Sequence, residues 1–165
     1  MPAWYDIYGL DKLDKEDEEG LTASRLLGIL LLILLVESLI EKEIIAGIPA
    51  SRIIIGGFSQ GAALSLFSGL TLKYALNSLL IFSGYLPCRH HIPGPSECSA
   101  GNVPVFMAHG TADSVVQLKW AQMSLEFLRE KGFSAINFKT YPMAHESCQA
   151  EMHEAIEFIQ KQTTL

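Results

Sequence analysis

"RIIIGGFSQGAALSLF", residues 52–67, sets a β-branched apolar run against an alanine- and leucine-rich one, with Gly-Phe-Ser-Gln-Gly at the junction. The first half reads as a short buried strand, because brief apolar runs ending in glycine suit a parallel sheet covered on both faces. The second half reads as a helix. A serine fixed at such a junction has two readings: a nucleophile on a tight strand-to-helix elbow, or one more polar residue in a small-residue turn.

The same alternation continues on either side. Residues 20–46 read as a long helix, closed by Gly47 and Pro49, the usual stop. "NSLLIFSG" (77–84), "VPVFMAHG" (103–110) and "AINFKTYP" (135–142) are further short apolar runs bounded by Gly, Pro or Asn, and read as strands. Between them lie helical patterns. Residues 61–74 are dense in Ala and Leu, and Leu118, Ala121, Leu125 and Leu128 recur at helical spacing. Cys148, Met152, Ala155, Ile156 and Ile159 make one stripe, expected to be the buried face of a C-terminal helix. The segment 86–102, rich in Pro, Gly and Ser, is the long irregular stretch. This pattern predicts one α/β domain over residues 1–165, with a mostly parallel sheet and helices on both faces.

Composition narrows the function. With 165 residues, 49% of them hydrophobic, the chain has the material for a real core. A net charge of -6 with only 12 Lys and Arg argues against a nucleic-acid surface, which needs a clustered basic face. Small molecules or proteins are the expected partners. Cys88, Cys98 and Cys148 are odd in number and lack CxxC spacing, so neither a disulfide framework nor a zinc ribbon is indicated. A reducing, cytoplasmic setting fits, with no metal and no cofactor. "LLGILLLILLV" (26–36) is uncharged, but as a helix it spans only about 16 Å against a hydrocarbon core of about 30 Å, so no stable membrane span is expected. Its acidic upstream flank is also wrong for a signal peptide. A helix apolar all round is expected to be enclosed by protein or lipid.

In open α/β sheets, chemistry gathers at the carboxyl ends of the strands. Ser59 follows the strand at 52–57, Asp113 follows the next-to-last strand in "HGTADSVV", and His145 follows the last in "YPMAHESC". Their order along the chain, Ser, Asp, His, is that of α/β-hydrolases. A serine hydroxyl is a poor nucleophile at neutral pH and needs a base within hydrogen-bond reach. His145 can take and return the proton, and Asp113 can fix the imidazole tautomer. Gly57 and Gly61 are expected to let strand and helix approach closely. The backbone N–H of Gln60, at the helix N-terminus, is the candidate oxyanion donor.

Plainer roles stand beside these. Asp113 can serve as a cap for a helix starting near Val116. His109 reads as a turn residue bonding locally rather than as a second base. "CRHH" (88–91) with Glu97 and Cys98 matches no common metal spacing. Cys148 reads as a packed thiol on the buried stripe.

"GGFSQGAALSLFSGLT", "FSGYLP", "HGTAD" and "FKTYPMAHESCQAEM", with "MPAWYDIYGL", "EDEEGL" and "AGIPASRIIIGGFSQG" upstream, resemble the acyl-protein thioesterase and lysophospholipase group of carboxylesterases. The resemblance covers nearly all of residues 1–165. It implies an α/β-hydrolase whose serine, aspartate and histidine are Ser59, Asp113 and His145, the three reached from the chemistry. It also implies substrates: acyl thioesters on protein cysteines, or acyl esters of lysophospholipids. The family's chain begins with strands upstream of "MPAWYDI" that carry a His-Gly-Leu-Gly-Asp type loop, so the chain is expected to lack the N-terminal strands and the second oxyanion donor. The apolar run 26–36 is also about two turns longer than the family's helix. A general carboxylesterase and a non-catalytic acyl-binding or interaction module are the alternatives.

Overall fold

The computed structural model describes residues 23–163, with side-chain surroundings from residue 31 onward. The "MPAWYDIYGL" and "EDEEGL" stretches lie outside the described residues. The elements follow the order α1 (Ala23–Ile45), β1 (Ile54–Phe58), α2 (Gln60–Thr71), β2 (Ser78–Phe82), β3 (Val105–Gly110), α3 (Leu118–Glu130), β4 (Ile136–Tyr141) and α4 (Gln149–Thr163). Short 3₁₀ turns precede β1 and interrupt the 86–102 loop at Arg89–His91.

The four strands are all parallel and lie side by side in chain order, β1-β2-β3-β4. Register runs Ile54 opposite Ser78, Leu79 opposite Val105, and Val105 opposite Ile136. Parallel neighbours joined by right-handed crossovers put every connecting helix on one face when the strand order never reverses. The core follows that rule. Leu79, Ile81, Val105 and Met107 pack with Ala62, Leu66 and Leu70 of α2 and with Ala121 and Leu128 of α3. One residue on, the side chains point the other way: Leu80, Phe82, Phe106 and Ala108 meet Ala155 and Phe158 of α4, which returns across the opposite face. Continuous apolar strands thus serve two cores at once.

The structure corrects one expectation about the helices and bears on another. On α4 the buried residues are Glu151, Ala155 and Phe158, whereas Met152 and Ile156 are 38% and 53% exposed. The inward face is rotated away from the apolar stripe because a carboxylate occupies a core position. On α1 the described part of the apolar run, residues 31–36, is not fully enclosed by protein. Ile40 is buried, with Val36 and Ile44 packed against the main core, but Leu31, Leu34, Leu35 and Leu39 are each more than half exposed. The helix is held from its other side, where Lys73 meets Glu41 at 2.7 Å and Glu37 at 3.5 Å, and the Tyr74 hydroxyl donates to Glu41 at 3.0 Å. Among the described residues no helix is long and apolar enough to cross a membrane.

Candidate active site

Ser59 sits between the last residue of β1 and the first of α2, with φ 56° and ψ -119°. A side chain at positive φ costs about 1–3 kcal/mol, so the neighbours must impose the conformation. They do so through both peptide groups: Ser59 N–H donates to Phe82 O at 2.9 Å, and Ser59 O accepts from Ala63 N–H at 3.0 Å. Gly57 makes the elbow tight, since a Cβ there would lie 2.3 Å from the Gly61 carbonyl carbon. Gly61 is not needed in the same way. A Cβ at that position meets nothing within 4 Å, so the close approach constrains one glycine of the pair and not the other.

Asp113 lies in the turn after β3. Its Oδ1 accepts from the backbone N–H groups of Val115 and Val116 at 2.9 and 2.8 Å. The capping reading was thus sound in kind but not in place, because α3 starts only at Leu118 with Gln117 as its cap. The other oxygen is left for His145. His145 Nδ1 is 2.7 Å from Asp113 Oδ2, and His145 Nε2 is 3.0 Å from Ser59 Oγ. A carboxylate only accepts, so Nδ1 carries the ring proton; Nε2 then has its lone pair toward the serine hydroxyl, which donates to it. Asp113 is wholly buried at its carboxylate, and the His145 side chain is 16% exposed. The three side chains that the sequence placed past separate strands therefore meet in one hydrogen-bonded chain. Gln60, the fourth candidate, is the first residue of α2, next to Ser59.

The turns bearing Asp113 and His145 are laced together. Thr111 N–H donates to Tyr141 O at 2.8 Å and Ala112 N–H donates to Met143 O at 3.0 Å. Gly110 permits this contact, because a Cβ there would lie 2.3 Å from Ala144 O and 2.4 Å from Met143 O.

Several neighbours were not apparent from the sequence. Phe58, just before Ser59 in Gly-Phe-Ser-Gln-Gly, packs tilted against His145 with ring centroids 4.7 Å apart at 45°. His109 is a strand residue rather than a turn residue, 1% exposed, with Nε2 2.7 Å from Val116 O and 3.5 Å from Asp113 Oδ2. Burial pushes its imidazole below the ordinary histidine range. Cys148 is half-buried and packs against the Phe106–Phe158 core, and with Met152 and Ile156 it lines an open depression of about 450 Å³. Glu151 is fully buried with neither carboxylate oxygen hydrogen-bonded, and burial raises its pKa against weaker opposing effects of Ser147 and Cys148. The Tyr141 hydroxyl is likewise buried without a partner, and burial pushes its pKa up.

Parallel strands in this arrangement, with a strained serine between strand and helix and its partners beyond later strands, have the architecture of the α/β-hydrolases. The chain belongs to the Phospholipase/Carboxylesterase family, which matches residues 1–163. It is similar to acyl-protein thioesterase 1 of Neurospora crassa, 40% identical over 169 residues that cover 96% of this chain and 64% of that protein. Acyl-protein thioesterase 1 of Cryptococcus neoformans is 38% identical over 170 residues, covering 93% and 68% of the two chains. Among solved structures, Zea mays acyl-protein thioesterase 2 superposes with a TM-score of 0.76 at 26% identity, over 97% of this chain and 72% of that one. A variant of Arabidopsis thaliana SOBER1 gives a TM-score of 0.80 at 27% identity, over 98% and 74%. The chain thus spans just under two thirds of the Neurospora protein's length.

Proposed function

We propose that this chain carries the catalytic centre of a serine hydrolase that cleaves acyl thioesters on protein cysteines, and acyl esters of lysophospholipids as a second substrate class. The observation that carries this reading is the continuous relay from Ser59 Oγ through His145 to Asp113, at 3.0 and 2.7 Å. The names of the Neurospora and Cryptococcus relatives support the thioester assignment.

In this mechanism Ser59 Oγ attacks the acyl carbonyl as His145 Nε2 takes its proton. Asp113 stabilises the imidazolium that forms and keeps the ring oriented. The oxyanion develops beside the N-terminus of α2, where the Gln60 backbone N–H and the helix dipole favour negative charge. His145 then protonates the departing sulfur or oxygen, leaving an acyl-Ser59 ester. Water, deprotonated by His145, attacks that ester and releases the fatty acid. A thiolate whose conjugate thiol has a pKa of about 8.5 leaves with little acid assistance, so thioesters are favoured over amides.

The test is labelling with a fluorophosphonate, which reacts only with an activated serine, alongside turnover of an S-acylated peptide and a lysophospholipid. Labelling of the parent and its loss in Ser59→Ala, at unchanged helix content, are expected. A folded parent that resists the probe, or a Ser59→Ala variant labelled as well as the parent, refutes the proposal.

A further inference from the structure

We propose that His109 is a positioning residue, one that locks the turn after β3 so that Asp113 presents Oδ2 to His145. This rests on the catalytic reading above and assigns a role to a histidine outside the relay.

The geometry is a clamp on one residue, gripping the peptide groups on both sides of its Cα. Val116 is held from both sides: its N–H donates to Asp113 Oδ1 at 2.8 Å, and its carbonyl lies 2.7 Å from His109 Nε2. A carbonyl only accepts, so His109 carries its proton on Nε2 and donates it there. The clamp fixes the orientation of the very N–H group that, with that of Val115, keeps Oδ1 occupied. With Oδ1 spoken for by two donors, Oδ2 is the oxygen left to face His145 Nδ1 at 2.7 Å.

Two further features fit this task and no other in the site. His109 is 1% exposed, and its Nδ1 is buried without a partner, so it has no route to substrate and no proton to exchange with solvent. It also lies 3.5 Å from Asp113 Oδ2, so a charged His109 would compete with His145 for that oxygen. Burial disfavours that charged form. Val116 itself packs with Ala63, Tyr85 and Trp120, which anchors the clamped residue to α2 and α3. Removing the imidazole leaves a buried carbonyl unpaired; as the Val116 backbone shifts to find that carbonyl a new partner, its N–H moves off Oδ1 and the carboxylate is free to turn.

The experiment compares three substitutions. His109→Leu fills the space without a donor, His109→Asn places its amide too short of Val116 O to reach it, and His109→Gln carries an amide nitrogen at the distance of Nε2. The readouts are the low-field proton resonance of the His145 Nδ1–H, which reports the Asp113 contact without turnover, and kcat and KM on a short-chain acyl thioester. His109→Leu and His109→Asn are expected to shift or broaden the resonance and to lower kcat by about 10- to 100-fold at unchanged KM, the penalty of an ångström-scale misplacement. His109→Gln is expected to restore both. If the leucine variant does not fold, the asparagine and glutamine pair decides alone. Folded Leu or Asn variants that keep the parent resonance and a kcat within twofold of parent overturn the proposal, as does a Gln variant no better than Asn. A parent unreactive toward fluorophosphonate instead refutes the catalytic reading, while the resonance still reports on the clamp.

Discussion

Asparagine at position 113 separates the two jobs of the aspartate, because the structure dictates which way the amide must face. Turned with its NH₂ toward Val115 and Val116, it would oppose two backbone donors now bonded at 2.9 and 2.8 Å. Leaving two turn N–H groups facing a donor costs about 1–3 kcal/mol each, so the carbonyl oxygen stays on that side. The NH₂ then faces His145 Nδ1 across the present 2.7 Å contact. Nδ1 has to accept, which moves the ring proton to Nε2 and points it at Ser59 Oγ, 3.0 Å away. The base is then occupied before reaction starts. For a triad histidine in the wrong tautomer the loss is about 10⁴ in kcat, equivalent to about 5.5 kcal/mol of barrier. Stability changes far less, since both turn bonds survive in neutral form. The assay is kcat on a short-chain acyl thioester with a thermal melt on the same sample. A folded Asp113→Asn variant within tenfold of parent would refute the assigned tautomer and the role of Asp113 with it.

Gly110→Ala drives a methyl group into the 143–144 carbonyls, which must retreat by about 1 Å; kcat is expected to fall about 100-fold, whereas Gly61→Ala, whose Cβ meets open space, keeps activity and gains helix stability. For Glu151 the folded pKa lies above the unfolded value of 4.5, so the native state binds more protons and stability falls as pH rises from 4.5 through the folded pKa. Melting temperatures of Glu151→Gln against pH should lack that fall, and a parallel decline in both proteins would show another group to be responsible. Replacing Leu31, Leu34 and Leu35 with Gln should raise soluble yield with unfolding free energy changed by about 0.5 kcal/mol per site or less, because those side chains are more than half exposed; a large loss of stability would mean that this face is packed.

β2 and β3 were legible because each is buried on both faces and so reads as an apolar run, whereas β1 and β4 have exposed positions and were read from their β-branched and aromatic residues and flanking Gly and Pro. The order Ser59, Asp113, His145 was legible because a parallel sheet puts every strand's carboxyl end at the same edge. What escaped is equally physical. Periodicity assumes that apolar means inside, and α4 breaks that assumption by burying Glu151 and exposing Met152 and Ile156. On α1, one row of contacts around Ile40 seats the helix and leaves Leu31, Leu34 and Leu35 outside the protein core. Gly57 and Gly61 look alike in sequence; only the path of the helix shows which of them another chain segment crowds. The contacts of Phe58 and His109 depend on side chains crossing between elements, for which no local pattern exists.

The lacing of the 110–113 and 141–145 segments has a consequence for how the site comes apart. Base and carboxylate ride on one body, built from β3 and β4 and cross-linked by main-chain bonds between the turns that follow them. The nucleophile belongs to the other body, β1 with α2, and among the described residues β1 pairs only with β2. Between the two bodies, the relay crosses at a single hydroxyl-to-imidazole bond. Slippage of β1 therefore disarms the serine while leaving the histidine and aspartate assembled. Local opening along β1, followed by amide exchange at Ile54–Phe58, is then a direct gauge of how often the nucleophile is out of alignment.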